Sequence, residues 1–186
     1  MTEKTVGYFC GPTLAGIKPS NIVSCYKEQM PDIKEKIVSW NEKLNEKGIY
    51  FEPLCECERR ILLMVYRKDN MKKILEKTEI AEFLKVYGYI DPKNLETCLC
   101  RLKQRISSCE FPHEIGVFLG YPISDIKGFI NHRDEGCIFT GELGIRDLNP
   151  IWFKKANFLQ YCVKMLVNPQ RIACAFSLFS EKICTF

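Results

Sequence analysis

Two runs, Ile49-Tyr50-Phe51-Glu52-Pro53-Leu54 and Arg60-Ile61-Leu62-Leu63-Met64-Val65-Tyr66, decide the fold class of this 186-residue chain. Both are short, apolar and partly aromatic, and a polar, charged interval divides them, so they predict two paired strands. The second run is the more continuously apolar and should be the more buried. Upstream, Ile33, Ile37, Trp40 and Leu44 recur at helical spacing between Asp32 and Lys47, with Lys and Glu between them and Gly48 as a stop. Downstream, two short helices are predicted over Asn70 to Lys77 and Thr78 to Tyr87, the second with Gly88 behind it. From Pro92 to Ser108 the stripe Leu95, Cys98, Leu99, Leu102 and Ile106 marks a core-facing helix, while Arg101, Lys103 and Arg105 point away.

The rest of the chain is less sharply patterned. Pro112 to Leu119 reads either as a short helix opened by Pro112 or as a buried strand from Ile115, and we favour helix. Ser124 is expected to cap a short helix carrying Ile126, Phe129 and Ile130. Gly136 to Ile145 looks extended, and Asn149 with Pro150 opens a last long helix that Asn168-Pro169 ends. The tail from Arg171 to Phe186 is apolar enough to pack. Few, clustered strands without regular strand-helix alternation predict an α+β fold. The expectation is one domain over residues 1–186, a small and mostly antiparallel sheet (a hairpin plus one further strand) packed with six or seven helices.

Composition bounds the function. Hydrophobic residues make up 46% and charged residues 27%, which describes a globular chain and not a disordered one. The net charge of +4 is scattered, with no block of five like charges, so a nucleic-acid partner is not expected. The first residues lack the basic and apolar regions of a secretory signal. The richest apolar segment, Ile151 to Val167, is broken by Lys154, Lys155, Asn157, Gln160 and Lys164, so no membrane span is predicted. Eleven cysteines, an odd number without an export signal, read as reduced thiols in a cytoplasmic protein.

Three stretches stand out: Cys10 to Pro19 (Cys-Gly-Pro-Thr-Leu-Ala-Gly-Ile-Lys-Pro), Phe111-Pro112-His113-Glu114-Ile115-Gly116, and Leu119-Gly120-Tyr121-Pro122. Together they resemble an uncharacterised family of anaerobic Firmicutes, a domain of unknown function marked by Pro-His-Glu and Leu-Gly-Tyr motifs. With Cys25, Arg59 to Arg67 and the run to Asn131, the resemblance covers most of the chain before Gly141. Members of that family continue with an extended Trp-Lys-Val-Tyr stretch where this chain has Gly141-Glu142-Leu143-Gly144-Ile145-Arg146. The resemblance implies no reaction.

On their own chemistry, these stretches suggest a pocket. A helix starting near Pro12 would set the Cys10 thiol beside an N-terminus and favour its thiolate. His113, one of two histidines, would then serve as base for a thiol-dependent hydrolase or transferase. Glu114 completes the candidate catalytic set, although adjacent side chains diverge and Asp125 is the alternative orienting carboxylate. Thr13, Lys18 and Tyr121 are the candidate binding residues. The competing reading makes Cys10 a small buried hydrophobe and sets His113 and Glu114 to fasten a helix end. A non-enzymatic binding, redox or iron-associated protein could use the same surface, toward a protein partner. Neither a cofactor nor a metal is expected: no Cys-x-x-Cys pair occurs, and Cys98 and Cys100 would point to opposite sides of a helix. Convergence of Cys10, Cys25 and His113 stays open at this point. His132, in a polar stretch, is expected to be exposed.

Overall fold

The computed structural model describes residues 3–108 and 112–132. Its elements, in chain order, are α1 (Glu3–Leu14), β1 (Ser20–Tyr26), α2 (Ile33–Leu44) with a 3-10 turn behind it (Asn45–Lys47), β2 (Ile49–Glu56), β3 (Arg60–Arg67), α3 (Lys68–Leu75), α4 (Thr78–Val86), α5 (Leu95–Ile106), α6 (Ile115–Phe118) and α7 (Ile123–His132). The fold of the described residues is α+β. The strand order is β1-β3-β2, and both neighbours run antiparallel to β3.

The β3 sequence explains why it is central. Apolar residues on both faces of a strand require cover on both sides. Ile61, Leu63 and Val65 pack with Val6, Cys10, Val23, Cys25, Ile37, Trp40 and Phe51 in a core formed with α1 and α2. Met64 and Tyr66 face the other way, into a core with Leu75, Leu84, Tyr89, Leu99, Leu102 and Phe118 from α3 to α6. The sheet is therefore a partition between two apolar layers, and a residue's parity along its strand decides which layer it joins.

Helix α2 buries Ile33, Ile37 and Trp40, and Gly48 closes the following turn at φ 72°. On α5, Cys98 is buried and Cys100 exposed, as helical spacing predicts. The Asn94 side chain caps α5 by accepting from the backbone N–H groups of Glu96 and Thr97.

Three local expectations need correction. The third strand of the described sheet is β1, whose Ser-Asn-Ile-Val-Ser-Cys-Tyr sequence gave little strand signal, because two serines and an asparagine dilute its apolar alternation. The helix expected to start near Pro12 ends there instead: Pro12 lies inside α1, near its C-terminus. Ser124 lies inside α7 and donates to Asp125 Oδ1 at 3.0 Å, while the Pro122 carbonyl accepts from the N–H groups of Asp125 and Ile126. The extended stretch over 136–145, the helix from Asn149, the tail and the His132 side chain lie outside the described residues.

Candidate functional site

The α1 C-terminus needs partners for its last carbonyls, and Arg67 at the end of β3 supplies them. Its Nε donates to the Thr13 carbonyl at 2.8 Å, and its Nη2 donates to the Leu14 carbonyl. The chain then turns tightly, with the N–H groups of Ile17 and Lys18 both donating to the Pro12 carbonyl. That turn delivers Lys18, Pro19 and Ser20 to the loop after α6. The Ser20 hydroxyl, fully buried, donates to the Phe118 carbonyl at 2.7 Å. The Lys18 ammonium lies over the Tyr121 ring, 5.5 Å from its centroid.

Gly120 is what lets the two segments of this seam approach. It holds φ at +82°, and a Cβ there would lie 2.6 Å from Cγ of the Pro19 ring. Gly120→Ala is therefore expected to destabilise the protein by at least about 1–2 kcal/mol from the backbone alone, with ring overlap added. A urea midpoint equal to that of the parent would contradict this packing.

Behind the seam, a buried polar latch fixes the Pro-His-Glu segment. The Glu114 side chain has no exposure, and Arg105 Nε donates to its Oε1 at 2.8 Å while Nη2 lies 3.4 Å from Oε2. The Tyr89 hydroxyl reaches the same Oε1 at 3.4 Å, and the Tyr87 ring lies 5.8 Å from the Arg105 guanidinium. Both tyrosines are driven above their ordinary pKa, first by burial and then by the Glu114 charge.

The sequence-derived site residues separate into two groups. Lys18 and Tyr121 come together, and Thr13 supports them from behind: it is buried, its carbonyl takes Arg67, and its hydroxyl donates to Asn21 Oδ1 at 3.3 Å. Cys10, His113 and Glu114 do not form a dyad or triad. Cys10 is 0% exposed in the core beneath α1 and α2, and burial, with a further push from Cys25, raises its thiol to about 12. Its place near the C-terminal end of α1 also gives it the wrong end of the helix dipole for a thiolate. His113 is exposed, its ring edge-on to Phe129 at 5.3 Å between centroids. Glu114 turns inward to Arg105, and Asp125, raised by burial, pairs with Ser124.

Among the described residues, no group of three or more His, Cys, Asp or Glu side chains is placed to hold a metal ion, so Cys10, Cys25 and His113 do not converge on one. One thiol was missed by the sequence reading. Cys57, exposed at the β2–β3 turn, has its pKa lowered, chiefly by backbone hydrogen bonds from Arg59 and Arg60, with Arg60 and Lys27 adding positive charge. The signal was present as Cys57-Glu58-Arg59-Arg60, a thiol in a tight turn followed by two cations.

Electrostatically, Lys18 is the distinctive group. It is half-buried, its pKa is lowered by desolvation, and no acidic side chain among the described residues pairs with it. A desolvated cation over an aromatic face, with its counter-charge position unfilled by described residues, suits an anionic group presented with a flat or apolar body.

The fold and seam define a small α+β protein whose sheet separates two helical layers and whose most distinctive polar groups lie where the α1–β1 turn meets the α6–α7 loop. Residues 6–143 match the family described as "Protein of unknown function (DUF3793)", and the chain belongs to that family. No curated protein and no solved structure matches it. Among the described residues no helix is long and apolar enough to cross a membrane.

Proposed function

We propose that this is a binding protein whose Lys18–Tyr121 seam takes a carboxylate- or phosphate-bearing ligand, free or displayed on a partner protein. The observation that carries the reading is the half-buried Lys18 ammonium over the Tyr121 ring without an acidic partner among the described residues. An ammonium held this way is under-solvated, so an incoming anion regains for it the interaction that folding removed. The two motif stretches that resemble hallmarks of an anaerobic Firmicutes family form the seam and its latch, which gives those motifs a shared purpose. The cytoplasmic setting inferred from composition belongs to the same proposal. The thiol-dependent hydrolase or transferase has less support, because a nucleophile needs a reachable thiolate and a base beside it.

Titration of the full chain with inorganic phosphate and then acetate, followed through the Lys18 side-chain NMR signal, tests the reading. A saturable shift is expected with at least one of them, together with a rise in the lysine's depressed pKa. Binding should therefore weaken as pH climbs through that depressed pKa. Lys18→Met is expected to weaken binding about 10-fold or more, the worth of one charge-assisted hydrogen bond. Undiminished binding in Lys18→Met, or no saturable shift with either anion, would overturn it.

A further inference from the structure

The hairpin end of the sheet carries two thiols within reach of solvent. The register sets Cys55 opposite Leu62 and Glu56 opposite Ile61, and the Cys57 N–H donates to the Arg60 carbonyl at 2.9 Å, closing the turn. Directly opposite residues share a face, so Cys55 and Cys57 project with Leu62 and Arg60 from one side of the sheet, and Glu56 from the other. Cys57 and Arg60 are exposed and Cys55 is half-buried, whereas Cys10, Cys25 and Cys98 are buried.

The surroundings of Cys57 suit an anionic sulfur. Arg59 and Arg60 direct backbone N–H groups at it, and Arg60 and Lys27 add positive charge. The turn is tied in place, since the Lys27 N–H at the end of β1 donates to the Arg59 carbonyl at 2.9 Å. Glu56, between the two thiols in sequence, is held by Lys27 Nζ at 2.6 Å and Lys34 Nζ at 2.9 Å. Its charge is thereby neutralised, which leaves the exposed Arg59 and Arg60 outnumbering Glu58 at the turn. The field there attracts an anionic reagent to a reachable thiolate.

We propose that Cys57 and Cys55 form a thiol–disulfide exchange site, Cys57 attacking and Cys55 resolving, whose substrate is a low-molecular-weight disulfide bearing carboxylates. The Cys57 thiolate attacks one sulfur of that disulfide; a protein–reagent S–S bond forms as the reagent's own S–S bond breaks, and one thiolate leaves. Cys55, its proton lost to water, then attacks the Cys57 sulfur and expels the second thiolate. Two protein thiols are oxidised, one disulfide is reduced to two thiols, and the two leaving thiolates take up the two protons. Residues two apart on a strand have Cα atoms about 6.6 Å apart, near the upper end of what a disulfide spans. β2 is irregular between Pro53 and Cys55 and ends at Glu56, so the backbone can bend to close the bridge. A bridge closed this way is strained, hence readily reduced again by small thiols. The site shares no residue with the Lys18–Tyr121 seam.

Treatment of the full chain with glutathione disulfide at neutral pH, followed by mass mapping of tryptic peptides, tests it. In the parent, peptide 48–59, which holds both thiols, is expected to gain one glutathionyl group and then to end two hydrogens lighter than its reduced form. Dithiothreitol should reverse the change. Cys55→Ser should stop at the glutathionyl adduct, and Cys57→Ser should leave Cys55 reduced over the same period. Cys100, exposed on α5, should react several-fold more slowly than Cys57. Added salt should slow the reaction with glutathione disulfide and speed that with cystamine, a cationic disulfide. A parent that retains the adduct, a bridge from Cys57 to any cysteine other than Cys55, oxidation of Cys55 at the parent's rate in Cys57→Ser, equal rates at Cys57 and Cys100, or the opposite salt response would each overturn the proposal.

Discussion

Between pH 9 and pH 12 the folded state is expected to lose most of its stability. Cys10 and Cys98, 0% and 1% exposed, both have thiols raised by burial from 9.0 to about 12. A group whose pKa is higher when folded contributes its full stability below the unfolded pKa and loses it as pH rises toward the folded one. Each thiol thus contributes on the order of 4 kcal/mol at neutral pH that is gone near pH 12. Burial of Cys25, Tyr66 and Tyr89 acts in the same direction. Lys18 and Arg67 act oppositely, since their lowered pKa values penalise the folded state until they deprotonate. Against a total stability of about 5–15 kcal/mol, the combined loss of about 8 kcal/mol from the two thiols removes a large share of it within this window.

Circular dichroism across that pH range checks the result, and Cys10→Val, which cannot ionise, should unfold at higher pH than the parent. Chemical labelling gives a second reading. At neutral pH iodoacetamide should modify Cys57 in the folded protein and leave Cys10 and Cys98 untouched. Rapid carbamidomethylation of Cys10 without unfolding would restore the thiol-enzyme reading and remove the burial argument.

Arg105→Met is expected to cost about 3–5 kcal/mol, more than Glu114→Gln at the other end of the same pair. The asymmetry follows from exposure: the Arg105 side chain is 22% exposed and that of Glu114 is 0%. Removing the arginine strands a buried carboxylate, leaving it the Tyr89 hydroxyl at 3.4 Å as a hydrogen-bond partner. Removing the carboxylate's charge leaves a guanidinium already close to water, so Glu114→Gln should cost about 1–2 kcal/mol. Urea midpoints of the two variants decide it, and equal losses would mean that water reaches Glu114. Because the latch holds the segment leading to Gly120 and Tyr121, Arg105→Met should also weaken anion binding at Lys18.

Much of the fold was legible in the sequence. Continuous apolar character over Ile61 to Tyr66 required cover on both sheet faces, and the four-three-four spacing from Ile33 to Leu44 required a helix with one buried side. Gly48 and Gly88, both at positive φ, mark turns that their neighbours' patterning had already located. β1 was not legible, because its strand identity comes from pairing with β3 and from the contacts of Val23 and Cys25 below α1. Its residues have little strand preference without those partners.

The site divides along the same line. The motif stretches marked Lys18 and Tyr121 as candidate binding residues. Pairing them took a contact between segments nearly a hundred residues apart, represented by the Ser20 to Phe118 hydrogen bond. Cys10 illustrates the converse. A thiol before Gly-Pro-Thr reads as an activated group if a helix begins there and as a core residue if one ends there, and local sequence permits both. The packing of α1 on the sheet decided between them, because burial of Val6 and Cys10 is stabilising only with β3 beneath. Periodicity by itself determined the α+β class, the α2, α4 and α5 faces and the β2–β3 hairpin, since these depend on spacing within one segment. Tertiary structure alone decided the third strand, the direction in which Glu114 and Cys10 point, and the meeting of Lys18 with Tyr121, since each depends on surfaces contributed by distant parts of the chain.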